Sequence, residues 1–182
     1  IQDLSVTNVD ITGDTYVGGL VGNAGQSSII SNCYSSGSVV GIYDAGGLVG
    51  KLDEATMSNS SSSVSVSNPE GNTCGGLVGY IKKSTISNSY STGNVIGTVY
   101  VGGLVGYIYN IPGSIISNCY SIGSVSGSAG SVGGLIGKNE NSIPMVLNSF
   151  WDTETSGQSS SFGGTGKTTA EMKDANTFLS AG

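Results

Sequence analysis

The residues of this chain that could do chemistry are its carboxylates, three cysteines, one lysine-bearing glycine loop and nine tyrosines. Paired carboxylates can act as acid and base or nucleophile on a glycosidic bond. Asp53 and Glu54 are adjacent and Asp152 and Glu154 are one residue apart, whereas Asp44, Glu70 and Glu140 stand singly. None of these acids recurs at a fixed phase, and such acids are more often solvated loop residues than catalytic pairs. Residues 163–168 read Gly-Gly-Thr-Gly-Lys-Thr and invite comparison with a phosphate-binding loop. The glycine such a loop needs five residues before Gly166 is Ser161, and no run of Val and Ile precedes it. A turn leading into a helix is the expected reading. The chain holds no His, which removes zinc hydrolysis, Ser-His-Asp and Cys-His arrangements. No stretch matches a calcium loop of alternating Asp with a central Gly. No catalytic, metal or cofactor residue is therefore assigned.

Most of the chain is occupied by something else. Gly-Gly-Leu-Val-Gly occurs at 18–22, 46–50, 75–79 and 102–106, and Gly-Gly-Leu-Ile-Gly follows at 133–137. The first glycines are 28, 29, 27 and 31 residues apart. A period in this range marks a repeat array, in which each unit buries its apolar face against its neighbours. Further columns share the period. Asn stands at 32, 59, 88, 118 and 148, with Ile30, Met57, Ile86, Ile116 and Val146 two residues before it. Tyr34, Ser61, Tyr90, Tyr120 and Phe150 stand two residues after it, and Val39, Val66, Val95 and Val125 seven after. Val17, Ala45, Cys74, Val101 and Val132 precede the glycine pairs.

Alternation of this kind describes strands with one face buried. About three strands per unit, separated by Gly, Ser and Asn turns, suit one turn of a three-faced coil. The expected fold is all-β: a β-solenoid of about five coils over residues 1–150, with right-handed coiling the fold-level expectation. Stacked coils place identical side chains above one another, so the Leu column (Leu20, Leu48, Leu77, Leu104, Leu135) lines the core. Stacked Asn amides can bond along a ladder. The paired glycines permit a bend or a positive φ. Tyr34, Tyr90 and Tyr120, in phase with the apolar ladder, are expected in the core. Tyr43, Tyr80, Tyr100, Tyr107 and Tyr109 are the surface candidates for stacking on sugars. Cys33 and Cys119 occupy equivalent places three coils apart, roughly 14 Å at the usual strand spacing, which is too far for a disulfide. All three cysteines, Cys74 included, read as small core residues. The second unit, with Ser-Asn-Ser-Ser-Ser-Ser at 58–63, either bulges or carries a local loop.

After Phe150 the pattern stops. Residues 151–182 read as a capping segment, with a capping box at Thr168 and Glu171 opening a short helix near 169–179. That helix could cover the last rung, and Trp151 could plug the open end of the core.

Composition excludes several partners. Charged residues make up 10% of the chain, the net charge is −6 and there is no Arg, so no basic stripe exists for nucleic acid. No apolar run approaches the ~20 residues of a membrane span. Regular Thr-x-Thr rows of an ice-ordering face are missing. The chain begins with Ile and shows no signal peptide, as expected of a piece of a longer protein.

The Gly-Gly-Leu-Val-Gly units, each followed by a Ser-Asn-Cys/Ser-Tyr strand, resemble the GLUG-motif repeats of bacterial surface and secreted proteins. The tail from Phe150 to Thr169 is similar to the segment that closes such arrays. The resemblance implies an extracellular repeat module, found beside adhesin-like regions and in some IgA-specific metallopeptidases, and it supplies no catalytic residues. The expected function is a non-catalytic structural or adhesive module, a rigid spacer or a surface for a host protein or glycan. The alternative is a polysaccharide-acting β-helix enzyme using loop carboxylates.

Overall fold

A computed structural model describes residues 1–109, 113–140 and 145–181. The chain winds into five stacked coils whose strands join four parallel sheets. Face 1 holds Val17–Gly18, Asp44–Gly46, Thr73–Gly75, Tyr100–Gly102 and Ser131–Gly133. Face 2 holds Val21–Gly25, Val49–Asp53, Val78–Lys82, Val105–Ile108 and Ile136–Asn139. Face 3 holds Ile29–Ser31, Thr56–Ser58, Thr85–Ser87, Ile115–Ser117 and Met145–Leu147. Face 4 starts with Ser5–Thr12, runs through Tyr34–Val40 and Ser61–Asn68, and ends at Phe150–Asp152 and Thr165–Lys167. The strand pairings among the described residues are parallel, and the repeat stays in register: Val17, Ala45, Cys74, Val101 and Val132 form one column.

Each coil has four faces rather than the three expected. The extra corner joins faces 2 and 3, where Glu54 (φ 56°) and Lys83 (φ 45°) adopt the left-handed conformation. Neither is a turn residue by type, so nothing in composition marks the corner. The corner between faces 3 and 4 is marked. Asn32, Asn59, Asn88, Asn118 and Asn148 all have φ between 47° and 54°. Asn tolerates this conformation better than most side-chain-bearing residues. One rung of the amide ladder is present, the Asn118 side chain donating to Asn88 Oδ1 at 3.1 Å, while Asn32 donates instead to Asp3 Oδ1 at 2.8 Å.

That Asn corner overturns the expectation for Tyr34, Tyr90 and Tyr120. A left-handed residue resets the in–out alternation, so positions two before and two after it face opposite ways. Ile30, Met57, Ile86 and Ile116 point inward, while the tyrosines lie on the outer surface of face 4. Tyr90 and Tyr120 stack there with centroids 4.8 Å apart and rings 1° from parallel. The inward position next to the corner is Cys33, Ser60, Ser89, Cys119 or Ser149. Its side chain serves the bent backbone: the Cys33 N–H donates to Ser60 Oγ, Ser60 N–H to Ser89 Oγ and Cys119 N–H to Ser149 Oγ, each at 3.1 Å. Small size is therefore only half of the requirement.

The paired glycines do bend the chain, but their φ lies outside the left-handed region. What excludes a side chain is space. A Cβ on Gly47 would lie 2.2 Å from both Gly76 O and Ser62 Oγ, and one on Gly76 would lie 2.1 Å from Ser91 Oγ. The second glycine of the first four pairs thus rests on the next coil's backbone and on an inward serine of face 4, and in the last pair Gly134 rests on the Trp151 ring. This contact divides the interior into two apolar columns. One holds Leu48, Leu77, Leu104 and Leu135 with Ile30, Met57, Ile86 and Ile116; the other holds Val39, Val66, Val95 and Val125 with Ala45, Cys74 and Val101.

The second unit does not bulge. Ser61–Asn68 runs as one strand in register with Tyr34–Val40. The extra length follows it: Ser67 pairs with Val40 and Thr73 with Asp44, so six residues span what four span in the coil before. The buried Asn68 amide holds this loop by donating to Tyr43 O and Thr73 O, both at 2.9 Å.

At the C-terminal end Trp151 is buried in the larger column, beneath Gly134, with its indole N–H donating to Gln158 O at 3.0 Å. Residues 160–165 then cross the last coil, where Ser160 O and Ser149 O accept from Gly134 N and Thr165 N. Of the helices, α1 (Thr153–Ser156) and α2 (Thr169–Met172) lie against the last strands of face 4, Phe150–Asp152 and Thr165–Lys167, while α3 (Ala175–Leu179) lies to the side. Phe178 of α3 packs edge-on against Tyr120 and Phe150, which places α3 beside the outer surface of face 4. The capping box at Thr168 and Glu171 is formed.

The space argument has a measurable consequence. Gly76→Ala should lower the apparent unfolding free energy by about 3 kcal/mol, because besides Ser91 Oγ the added Cβ meets the Gly103 carbonyl oxygen at 2.3 Å, backbone that cannot swing aside. Gly25→Ala, whose Cβ would meet nothing nearer than Asp53 O at 3.9 Å, should stay within about 0.5 kcal/mol of the parent. Denaturant melts of the two variants read the contrast.

Candidate functional site

Faces 1 and 2 flank each Gly-Gly-Leu-Val-Gly, and their backbones touch where one turns into the other. A Cβ on Gly50 would lie 2.4 Å from the Tyr16 carbonyl carbon, and one on Gly106 would lie 2.8 Å from Cys74 N. The seam is therefore bare backbone running along the solenoid axis. Two columns of outward side chains border it. On face 1 these are Asp44, Thr73, Tyr100 and Ser131, with Tyr16 just before the first strand. On face 2 they are Asn23, Lys51, Tyr80, Tyr107 and Lys138.

In the middle coils the two columns meet. Tyr100 stacks on Tyr107 across the seam with centroids 5.1 Å apart. Tyr80 lies 5.6 Å from Tyr107 and 6.0 Å from Tyr109, tilted to both by 47° and 34°. The Lys51 ammonium sits over the Tyr16 ring at 5.0 Å and the Tyr80 ring at 5.4 Å, favourable cation–π geometry. Asp44, Asn72, Thr73, Tyr80, Tyr100 and Tyr107 line an open groove of about 370 Å³. Four of the five expected surface tyrosines thus converge. The fifth, Tyr43, is 49% exposed and makes no ring contact with the cluster.

The electrostatics keep the groove's polar groups in hydrogen-bonding form. Burial raises the Tyr80 phenol well above its ordinary value, reinforced by Asp53. Burial also raises Tyr107, and its hydroxyl donates to Glu140 Oε2 at 2.6 Å. Both remain protonated donors. Burial raises the Asp44 carboxyl too, outweighing the Thr73 hydroxyl that donates to it and the nearby Lys51.

The paired acids singled out as catalytic candidates are otherwise occupied. Burial alone would raise Asp53, but Lys82 at 3.1 Å and Lys51 at 3.3 Å together hold it below its ordinary value. Glu54 pairs with Lys83 at 3.1 Å, and Glu70 is an exposed loop residue. Asp152 is not a solvated loop acid: at 2% exposure it caps α1 through Glu154 N (2.9 Å) and Thr155 N (3.1 Å). It also accepts from the Thr169 hydroxyl at 2.8 Å, and Glu154 accepts from Thr169 N at 2.8 Å. The pair ties the tail to the last coil.

Residues 163–168 make a turn and a strand. Gly163 (φ 154°) and Gly164 (φ 83°) reverse the chain, and Thr165–Lys167 pairs with Phe150–Asp152. Lys167 lies 3.5 Å from Glu171 and Thr168 caps α2, so the lysine and the cap serve the tail's own structure. The three cysteines are buried and free. Among the described residues no group of three metal-binding side chains forms, and no helix is long and apolar enough to cross a membrane.

The comparisons fit this repeat structure. The GLUG motif matches residues 13–40 and 97–126, each stretch one full coil, so these units are GLUG repeats. A protein of Evansella cellulosilytica named as a Gly-rich membrane protein is 45% identical over 85 residues, or 45% of this chain. That stretch is 10% of the relative, so the chain spans only a small part of the curated protein it matches.

Two measurements check this electrostatic picture. Burial pushes the Cys74 and Cys119 thiols up to about 12. The folded chain should therefore resist a thiol reagent at mildly alkaline pH, while all three cysteines react in concentrated guanidinium. A fast-reacting native thiol would contradict the packing. For Asp44 the folded pKa lies above the unfolded one, so its ionisation costs stability as pH rises through the carboxylate range. Asp44→Asn should flatten the fall of the melting temperature over that range relative to the parent.

Proposed function

We propose that this chain is a non-catalytic module of a bacterial cell-surface or secreted protein, serving as a rigid spacer whose outward columns form a binding surface. The observation that carries this reading is the in-register stack itself. Five coils at roughly 4.8 Å each make a short rod in which every outward residue is held at a fixed height. A repeat protein of this kind is stabilised by contacts between neighbouring units, leaving outward positions free to vary. The GLUG repeats support placement outside the cell, in a longer parent chain.

The reading is non-catalytic because the acids the sequence pairs are committed elsewhere. Asp53 and Glu54 each hold lysines, and Asp152 and Glu154 hold backbone and Thr169. An acid–base pair needs one carboxyl free to give a proton and one free to take it. Incubating the chain with a polysaccharide panel should release no reducing ends or unsaturated products. Reproducible turnover, abolished by the Asp53→Asn, Glu54→Gln double variant, would replace this reading with the hydrolytic or eliminative one.

A further inference from the structure

We propose that the tyrosine groove over the glycine seam is a subsite for a neutral polysaccharide chain lying along the solenoid axis; this rests on the binding-module reading above. Five of the chain's nine tyrosines, Tyr16, Tyr80, Tyr100, Tyr107 and Tyr109, gather on this one strip. Ladder packing alone does not explain them. The face 4 pair Tyr90 and Tyr120 shows what such packing looks like: same column, rings parallel within 1°, each face against its neighbour. The groove tyrosines instead come from two columns and several of their contacts are tilted, with interplanar angles of 47°, 34° and 69°. Tilting splays ring faces apart rather than sealing them against one another.

Aromatic faces carry partial negative charge, and the C–H bonds of a pyranose face are weakly positive, so the two associate. The hydroxyls around that face then need donors and acceptors set close by. Asp44 and Thr73 supply them on one side of the seam, and the tyrosine hydroxyls on the other. The seam glycines from Gly50 onward are themselves buried against the facing backbone, so the rings and polar groups that border the seam form the contact surface. An extended hexose chain advances per sugar by about the rise of one coil, so successive sugars would meet equivalent columns.

Charge selects the neutral class. Lys51 is offset by Asp53, Asp44 has burial opposing its ionisation, and Lys138 lies over the Phe162 ring at 5.1 Å. With a net charge of −6 over the chain, an anionic polymer would be repelled.

Affinity electrophoresis of the whole chain in gels cast with β-glucan, xylan, galactomannan or pectate tests the assignment. At least one neutral polymer should retard the chain, and pectate should not. Tyr107→Ala and Tyr80→Ala should weaken retardation about tenfold, the loss expected for one ring contact of roughly 1.4 kcal/mol. Tyr43→Ala should leave it unchanged. Tyr109→Ala, a 39% exposed rim residue, guards against misfolding of the inner variants, and melts of all four are recorded. No retardation by any neutral polymer, stronger retardation by pectate, or equal retardation of correctly melting Tyr107→Ala and Tyr80→Ala overturns the proposal. The module reading survives those outcomes. Retardation with depolymerisation would instead sink that reading and leave the subsite standing.

Discussion

The structure depends on backbone meeting backbone at the glycine corner. A parallel stack needs each strand to sit over its counterpart at hydrogen-bonding distance, and at an ordinary turn side chains keep the chain segments further apart than that. Here the second glycine of the first four pairs lies against the carbonyl of the corresponding glycine in the next coil, and the last glycine of the motif lies against the facing strand. Because the contact recurs between successive coils, a coil cannot shift register without opening its neighbours. The constancy of Gly-Gly-Leu-Val-Gly within the chain follows from that geometry rather than from any ligand.

The remaining architecture manages the consequences. Pinching the coil at the Gly–Ser contact leaves two narrow interiors instead of one wide one, so residues of Leu, Ile and Val size fill them along the coils and the large ring of Trp151 enters at the C-terminal end. The left-handed corners interrupt the backbone ladders. Serine accepts the stranded N–H and in turn donates to a carbonyl two residues back, as Ser60, Ser89 and Ser149 do, and the Cys33 and Cys119 thiols donate to the equivalent carbonyls. A buried polar group left unpaired would cost about as much as a lost core contact, so these small side chains matter as much as the leucines. At the C-terminal end the same demand is met by Trp151, by the crossing of residues 160–165 and by the strand Thr165–Lys167.

Much of this was legible because repetition multiplies weak signals. One Gly-Gly-Leu-Val-Gly says little; four and a Gly-Gly-Leu-Ile-Gly, 27 to 31 residues apart, identify the corner, the Leu column and the coil number. The misreadings share a cause. Alternation places Tyr34, Tyr90 and Tyr120 inside, but it holds only along continuous β backbone and fails across a left-handed Asn. The corner at Glu54 and Lys83 was invisible because those residues carry no turn preference; only the backbone reveals it. Asp152 read as a loop acid because its partner, Thr169, lies in the tail seventeen residues away.

The groove was half legible, and the missing half is instructive. Its tyrosines were noted one by one, but the signal that joins them is the pair of residues flanking each pentapeptide: Tyr16 with Asn23, Asp44 with Lys51, Thr73 with Tyr80, Tyr100 with Tyr107, Ser131 with Lys138. Each pair is seven residues apart, a distance at which neither strand nor helix periodicity would seek a contact. The glycine corner folds that interval back on itself and sets the two side chains across a bare seam. The motif that cannot vary thus creates the place where variation has chemical effect. The aromatic character peaks in the middle coils and fades to Asn23 at one end and to Ser131 and Lys138 at the other, which bounds the length of chain such a surface can hold.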